Sequence, residues 1–368
     1  MKKHKISLKK IRKLPKPRLP KRLRRLTKEE LAAAAIQSIP QITNETVAEH
    51  REEVLSSARK YIYPLQHSKY RIVIVSASLL ITAIIAFFVY IGFELYKFQS
   101  SSAFMYRITQ VAPLPVAKVG PSYVAYENYL FELRRYIHYY HTQQNVDFDT
   151  AIGRQQLEAY KPKAMQQVID ATYVKQLAVK NGISVSSAEV NREVSLLKKQ
   201  NQLTGGNKEL SDITSEFFGW SVNDLKRELK QELLSQKLVS KLDTTAHSKA
   251  TSVEQQLKSG ADFAVLATKY SDDLATAKNG GQFANEAITV GSTDVPPRLL
   301  GVLTSLQAGQ VSSPVDIGSG LEIVKIISND GGKIKAAHIY IQFKSLESYL
   351  KPARAAHPAH IFISVKLD

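Results

Sequence analysis

The sequence predicts an α+β protein carried on a single transmembrane helix, and three observations point to it. Residues 72–93 are an uncharged apolar run, residues 123–243 carry helical periodicity, and the chain from residue 250 mixes helical signals with a β-hairpin. At 368 residues with 44% hydrophobic content, the chain can bury a core, which excludes wholesale disorder. It has no cysteine. That excludes a disulfide scaffold, a thiol nucleophile and any Cys-ligated zinc or iron–sulfur site. Of the net charge of +17, residues 1–71 supply +13, so the body after the apolar run is nearly balanced.

The run IVIVSASLLITAIIAFFVYIGF, residues 72–93, spans about 33 Å as a helix, enough for a hydrocarbon core of roughly 30 Å. It is too long and begins too far into the chain for a cleaved signal peptide. Lys69 and Arg71 flank its N-terminal side behind the basic leader, so the positive-inside rule places residues 1–71 in the cytoplasm and the rest outside. Residues 1–28 hold fourteen Lys and Arg, with Pro15, Pro17 and Pro20 opposing a helix. The expected partner of this tail is the anionic headgroups of the membrane. Nucleic acid is disfavoured, because no aromatic residues interleave the charges to stack on bases. Thr27-Lys28-Glu29-Glu30 is a capping box, and a second helix is expected over 45–61.

Residues 94–120, with three serines at 100–102 and Pro113, Pro115 and Pro121, are expected to be a linker. A helical module is expected over 121–243. Met165, Val168, Ile169, Tyr173 and Leu177 recur on one helix face, and Asn181-Gly182 ends that helix. Ser186–Glu189 and Ser221–Asp224 open two more helices. VIDATYVKQLAVKNGISVSSAEVNREV followed by FFGWSVNDLKRELKQELLSQKL resembles the N-terminal chaperone module of SurA/PrsA-type foldases.

GADFAVLATKYSDD, then KNGGQF, LQAGQVSSPV and the strand GLEIVKI resemble, in that order, the parvulin family of peptidyl-prolyl isomerases. The resemblance implies a parvulin-like antiparallel sheet with helices over 244–368 and catalysis of rotation about X–Pro bonds. That barrier is about 18–20 kcal/mol, and crossing it breaks no bond. No nucleophile, metal or cofactor is implied. Carried over residue by residue, the resemblance puts Asp273 against the substrate carbonyl, with an ordinary solvated carboxylate as the alternative. Val295 and Leu299 take the positions of the proline pocket, Thr304 replaces a further Phe, and Ser319 matches a small polar site residue. Glu322 stands where the family's closing strand carries a histidine.

No strand of the family's opening type precedes residue 250; His247 lies in too polar a stretch. Ala337-His338-Ile339-Tyr340-Ile341 reads like that strand at the wrong end of the domain, and Asn329-Asp330-Gly331-Gly332 is a hairpin turn that pairs it with the closing strand. The expectation is a circularly permuted first strand with His338 as a site histidine. A core histidine or a truncated repeat over 333–368 is the alternative. The tail adds a short helix over 345–351, ended by Pro352, and a last strand AHIFISVK whose His360 extends the sheet edge or faces His338. The remaining histidines show no metal-ligand spacing.

Together the apolar run and the two resemblances imply an anchored extracytoplasmic foldase for unfolded exported polypeptides, expected to act as an isomerase and chaperone. The rival is a non-catalytic holdase that uses the parvulin-like domain as a peptide-binding scaffold.

Overall fold

The computed structural model describes residues 27–37, 42–62, 65–284, 287–289, 292 and 295–367. The chain divides into two compact units, residues 1–85 and 86–368. In the first, α1 (Lys28–Gln37) begins where Glu30 Oε2 accepts the Thr27 N–H at 3.0 Å. The second helix is α2 (Asn44–Ile62). The third, α3 (Leu65–Gly92), exposes apolar residues such as Ile74, Leu80, Ile84 and Phe88. Tyr70–Lys97 is long and apolar enough to cross a membrane, by length and composition. Of the basic stretch 1–28, all but residues 27 and 28 lies outside the described residues.

The second unit corrects the expectation of a linker over 94–120. A π-helical turn (Phe93–Lys97), α4 (Ala103–Val111), β1 (Pro115–Val119) and β2 (Ser122–Ala125) fill that stretch. Ile91, Leu95, Met105, Val116, Ala117 and Val119 are all buried in one core. The prolines and serines that suggested a linker occupy compatible places instead. Ser102 caps α4 by accepting the Met105 N–H at 3.3 Å, and Pro115 is the first residue of its strand, a position proline tolerates. The apolar run therefore gives its last turns to the folded body.

Five helices complete this module: α5 (Tyr126–Gln144), α6 (Ala151–Lys180), α7 (Ser187–Gln200), α8 (Gly206–Phe218) and α9 (Val222–Leu242). Reciprocal capping boxes form at Ser186/Glu189 and Ser221/Asp224. Met165, Val168, Ile169 and Tyr173 of α6 face the core shared with Val116, Tyr126 and Leu130.

Beyond residue 243 come α10 (Thr244–Lys258), α11 (Phe263–Tyr270), α12 (Leu274–Ala277), α13 (Pro297–Ser305), β3 (Val315–Asp316), β4 (Gly320–Asp330) and β5 (Lys333–Gln342). The strands pair in the order β3-β4-β5, all antiparallel. The β4–β5 turn uses Gly331 and Gly332 at φ 62° and 89°, the left-handed pair that a two-residue hairpin demands. Residues 281–283 and 288 lie along the free side of β5, with the His338 N–H donating to Gly281 O at 2.8 Å and the Ile288 N–H to Ile334 O at 2.7 Å. Residues 309–312 flank β4 in the same way, the Ser312 N–H donating to Val324 O at 2.8 Å. The β4–β5 pair therefore sits at the sheet centre. One face, with Leu321, Ile323, Ala337 and Ile339, packs on Val253, Phe263 and Leu266 of α10 and α11. The other, with Val324, Ile326, Ile334 and Ala336, packs on Val295, Leu299 and Leu303.

The chain then returns to the helical module, which corrects the assignment of the tail to the 244–368 domain. After α14 (Glu347–Ala356), β6 (Ala359–Ile361) pairs antiparallel with β1, giving a sheet ordered β2-β1-β6. Leu350, Ile363 and Val365 join the core of Met165 and Tyr173. His360 stands exposed opposite Lys118 and does not face His338. Pro352 also fails to end its helix. It forfeits one backbone donor, but Arg354 bridges Asp170 and Glu347, both at 2.7 Å, and Tyr173 Oη donates to His357 O at 2.5 Å.

One buried carboxylate ties the two crossings between these parts. Asp243 Oδ1 accepts the Ala246 N–H at 3.1 Å, capping α10, and Oδ2 accepts the Lys344 N–H at 2.7 Å where the chain comes back. Replacement by Ala strands both donors, so D243A should cost about 2–3 kcal/mol. Thermal unfolding of the detergent-solubilised chain should show a lower Tm for D243A than for D243N, which keeps one acceptor.

Glu132 of α5 is the other buried carboxyl of note. Arg135 Nε donates to it at 3.1 Å, yet burial first, then the neighbouring Glu228, push its pKa up to about 7. A raised carboxyl pKa means that the folded state holds the proton while the unfolded chain has released it. Stability is therefore lost as pH rises from 4.5 through about 7. In urea titrations E132Q should gain on the wild type across that window, by up to about 3 kcal/mol.

Candidate active site

Alternation along β5 sends His338 and Tyr340 to the sheet face turned away from α10 and α11. On β4, Glu322 is the register partner of Tyr340, which brings its carboxylate diagonal to His338. The third member comes from the chain between α11 and α12, which is held along β5. Ser271 Oγ accepts the Tyr340 N–H at 3.1 Å, the Asp272 N–H donates to Tyr340 O at 2.7 Å, and Asp272 Oδ2 accepts the Gln342 N–H at 2.9 Å. These bonds place Asp273 as the N-cap of α12, its Oδ1 accepting the Ala275 N–H at 3.1 Å.

The imidazole of His338 lies between two carboxylates. Its Nε2 is 3.1 Å from Asp273 Oδ2 and 2.8 Å from Thr276 Oγ1, and its Nδ1 is 3.3 Å from Glu322 Oε2. The ring can donate to both acids only when both nitrogens carry a proton. His338 and Glu322 are buried, while the Asp273 side chain is 30% exposed and is the way in from solvent. The Thr276 hydroxyl donates to Asp273 Oδ2 at 2.7 Å and is the main reason its carboxyl stays below the usual value. Burial opposes this, and the Ala275 N–H and His338 assist it. Burial also raises the Tyr340 phenol, against a hydrogen bond with Ser319.

Phe283 stacks on the His338 ring, with centroids 4.2 Å apart and planes 25° from parallel, and packs against the Val295–Leu299 cluster. It reaches this place because Gly281 lets the chain pass close to β5. Gly281 has φ 80°, and a Cβ there would stand 2.2 Å from His338 O.

The structure thus brings together Asp273, His338 and Glu322 from the residues expected, and adds Thr276, Phe283 and Tyr340. Sequence spacing carried signals for all three additions. Thr276 is three residues beyond a helix-capping Asp, Phe283 follows the Gly-Gly pair, and Tyr340 shares the period of His338. Val295 and Leu299 are fully enclosed in the core beside the site and back Phe283 rather than line an opening. Thr304 is not part of the cluster: its hydroxyl bonds back to Leu300 O at 3.0 Å, and the residue lines a cleft shared with α7 and α9. That cleft has a volume of about 490 Å³ and a mixed lining in which Leu196, Leu233 and Leu300 stand among charged residues such as Arg192, Glu193 and Arg298. Ser319 is exposed and touches the site only through Tyr340, whose Oη donates to it at 3.1 Å. Among the described residues no group of three His, Asp or Glu has metal-holding geometry.

A buried imidazole oriented by fixed acids, beside an aromatic ring and an apolar cluster, presents preset dipoles to a bound polar group at low dielectric. That suits a reaction whose transition state differs from its ground state in charge distribution rather than in bonding.

Comparison with known proteins agrees with these two parts. Residues 66–239 match the SurA-like N-terminal domain family, and residues 233–328 match the PPIC-type PPIase domain family. The second match stops before β5. Foldase protein PrsA 2 of Listeria innocua is 39% identical over 89 residues, 24% of this chain and 29% of that protein. Chaperone SurA of Pectobacterium atrosepticum is 30% identical over 162 residues, 44% of this chain and 35% of that one. The parvulin-like PPIase of Rickettsia typhi is 28% identical over 172 residues, 45% of this chain and 60% of that one. The chain spans between 29% and 60% of the length of these three relatives. It therefore carries a SurA-like N-terminal domain joined to a PPIC-type peptidyl-prolyl isomerase domain.

Proposed function

We propose that this protein is a membrane-anchored extracytoplasmic foldase that isomerises X–Pro bonds in unfolded exported polypeptides and holds them against aggregation. The observation that carries the isomerase reading is the Asp273–His338–Glu322 cluster with Phe283 stacked on its centre. Phe283 supplies an aromatic surface for a proline ring, and the partly exposed Asp273 faces the amide that twists. The His338–Glu322 pair fixes the orientation of Asp273. The reaction needs a polar group held beside the amide and exclusion of water, which this arrangement offers without a bond being made.

The relocated first strand is part of the proposal. Two facts support it: β5 lies between β4 and residues 281–283 and 288 in the sheet, and the PPIC-type match ends at residue 328. Anchoring rests on the apolar helix, and the orientation on the basic residues before it, with the tail of residues 1–28 drawn to anionic headgroups. The chaperone role belongs to the helical module and its cleft against α13, whose leucines and surrounding charged groups suit a short extended segment.

The enclosure of Val295 and Leu299, together with an acid at position 322, favours the second reading, a holdase whose isomerase domain has lost its chemistry.

A protease-coupled prolyl isomerisation assay on the detergent-solubilised full chain separates them. The expected result is a rate above the uncatalysed one, lowered on the order of tenfold to a hundredfold by D273A and by H338A. F283A should raise KM more than it lowers kcat. Absence of any rate above background, with suppression of client aggregation intact, establishes the holdase.

A further inference from the structure

The end of the apolar helix is not a free tether. In the second unit Ile91 and Leu95 sit in the same core as Met105, Val116 and Tyr126. Tyr126 Oη donates to Leu95 O at 2.5 Å, and Tyr96 Oη donates to Pro115 O at 2.7 Å. After the π-helical turn the chain reverses at Gln99, held at φ 51°, and the Ser100 N–H donates back to Glu94 O at 2.9 Å. Arg134 Nη1 then donates to Ser101 O at 2.9 Å, which fixes the start of α4.

This stretch buries one side and leaves large apolar groups on the other. Phe93 and Phe98 are exposed, Phe98 at 67%. On α4, Met105 and Thr109 turn into the core, whereas Phe104, Arg107 and Val111 form an exposed stripe at helical spacing, Val111 at 87%. Lys97 and Arg107 are the exposed cations among them. Aromatic rings with nearby basic residues, lying along a helix face, are the composition of a surface that rests at the level of lipid headgroups. Phe98 and Phe104 follow the apolar helix by a few residues, and the shared core prevents α4 from swinging away.

We infer that Phe93, Phe98, Phe104 and Val111, with Lys97 and Arg107, form a membrane-contact surface that seats the folded body on the bilayer its own helix enters. The occupant is the headgroup and upper acyl layer of that membrane. This inference rests on the anchored reading above and adds a second, interfacial attachment.

Because the chain has no cysteine, single substitutions report cleanly. The full chain is reconstituted in vesicles of phosphatidylcholine and phosphatidylglycerol, with or without acyl-brominated phosphatidylcholine. It carries an environment-sensitive fluorophore at F98C, F104C or V111C, at I81C within the apolar helix, or at V179C or V265C as exposed apolar controls far along the chain. Brominated lipid is expected to quench the labels at 98, 104 and 111 by about half or more, and to leave 179 and 265 unaffected. Quenching at 81 but at none of 98, 104 and 111 overturns the contact surface while leaving the anchor in place. No quenching at 81 overturns the anchor, and the contact surface with it. A label at 104 that ignores the lipid and is shielded only when an unfolded polypeptide is added makes the patch a client surface and also overturns the inference.

Discussion

The fold turns on the carboxylate of Asp243. An isomerase domain built into a helical module must leave it and come back, and each crossing leaves a backbone donor in need of a partner. Asp243 satisfies one donor on each side, the first turn of α10 and the Lys344 N–H, from a single buried side chain. A buried acceptor that serves two segments so far apart in sequence sets their separation and their angle together. The β4–β5 pair, and everything hung on it, inherits its position from that junction.

The site shows the same economy of means. His338 arrives on a strand 65 residues beyond Asp273, and neither would be constrained without the backbone bonds that lay Ser271 and Asp272 along β5. Gly281 makes the approach possible on the far side by having no Cβ to collide with His338 O. The geometry of the cluster thus depends on two lengths of chain flanking one strand.

Local signals in the sequence were dependable where the physics is local. The capping boxes at Ser186 and Ser221, the apolar face of α6 and the Gly331-Gly332 turn all require only neighbours within a few residues. The β4–β5 register was legible from the hairpin turn, but the meeting of His338 with Asp273 was not, because Asp273 comes from a separate segment laid along β5. What failed was inference from composition. Proline and serine over 94–120 suggested a linker, yet Pro115 opens a strand and Ser102 caps a helix inside the folded body. Thr304 followed from a family position, but the turn of α13 places Leu303 in the core and Thr304 outside. The destination of the tail was not legible either, since a short strand such as Ala359–Ile361 can complete any open edge, and only the tertiary fold says which.

That edge has a consequence for how the protein is made. A ribosome delivers β1 and β2 before the isomerase domain and β6 only after all of it. Until then β1 has a vacant side, and the core around Met165 and Tyr173 lacks Leu350, Ile363 and Val365. The domain in the middle can fold while the module that carries it stays unfinished. A nascent chain that has not yet delivered β6 is thus for a time an open, sticky polypeptide, and loss of residues 359–365 would leave it so.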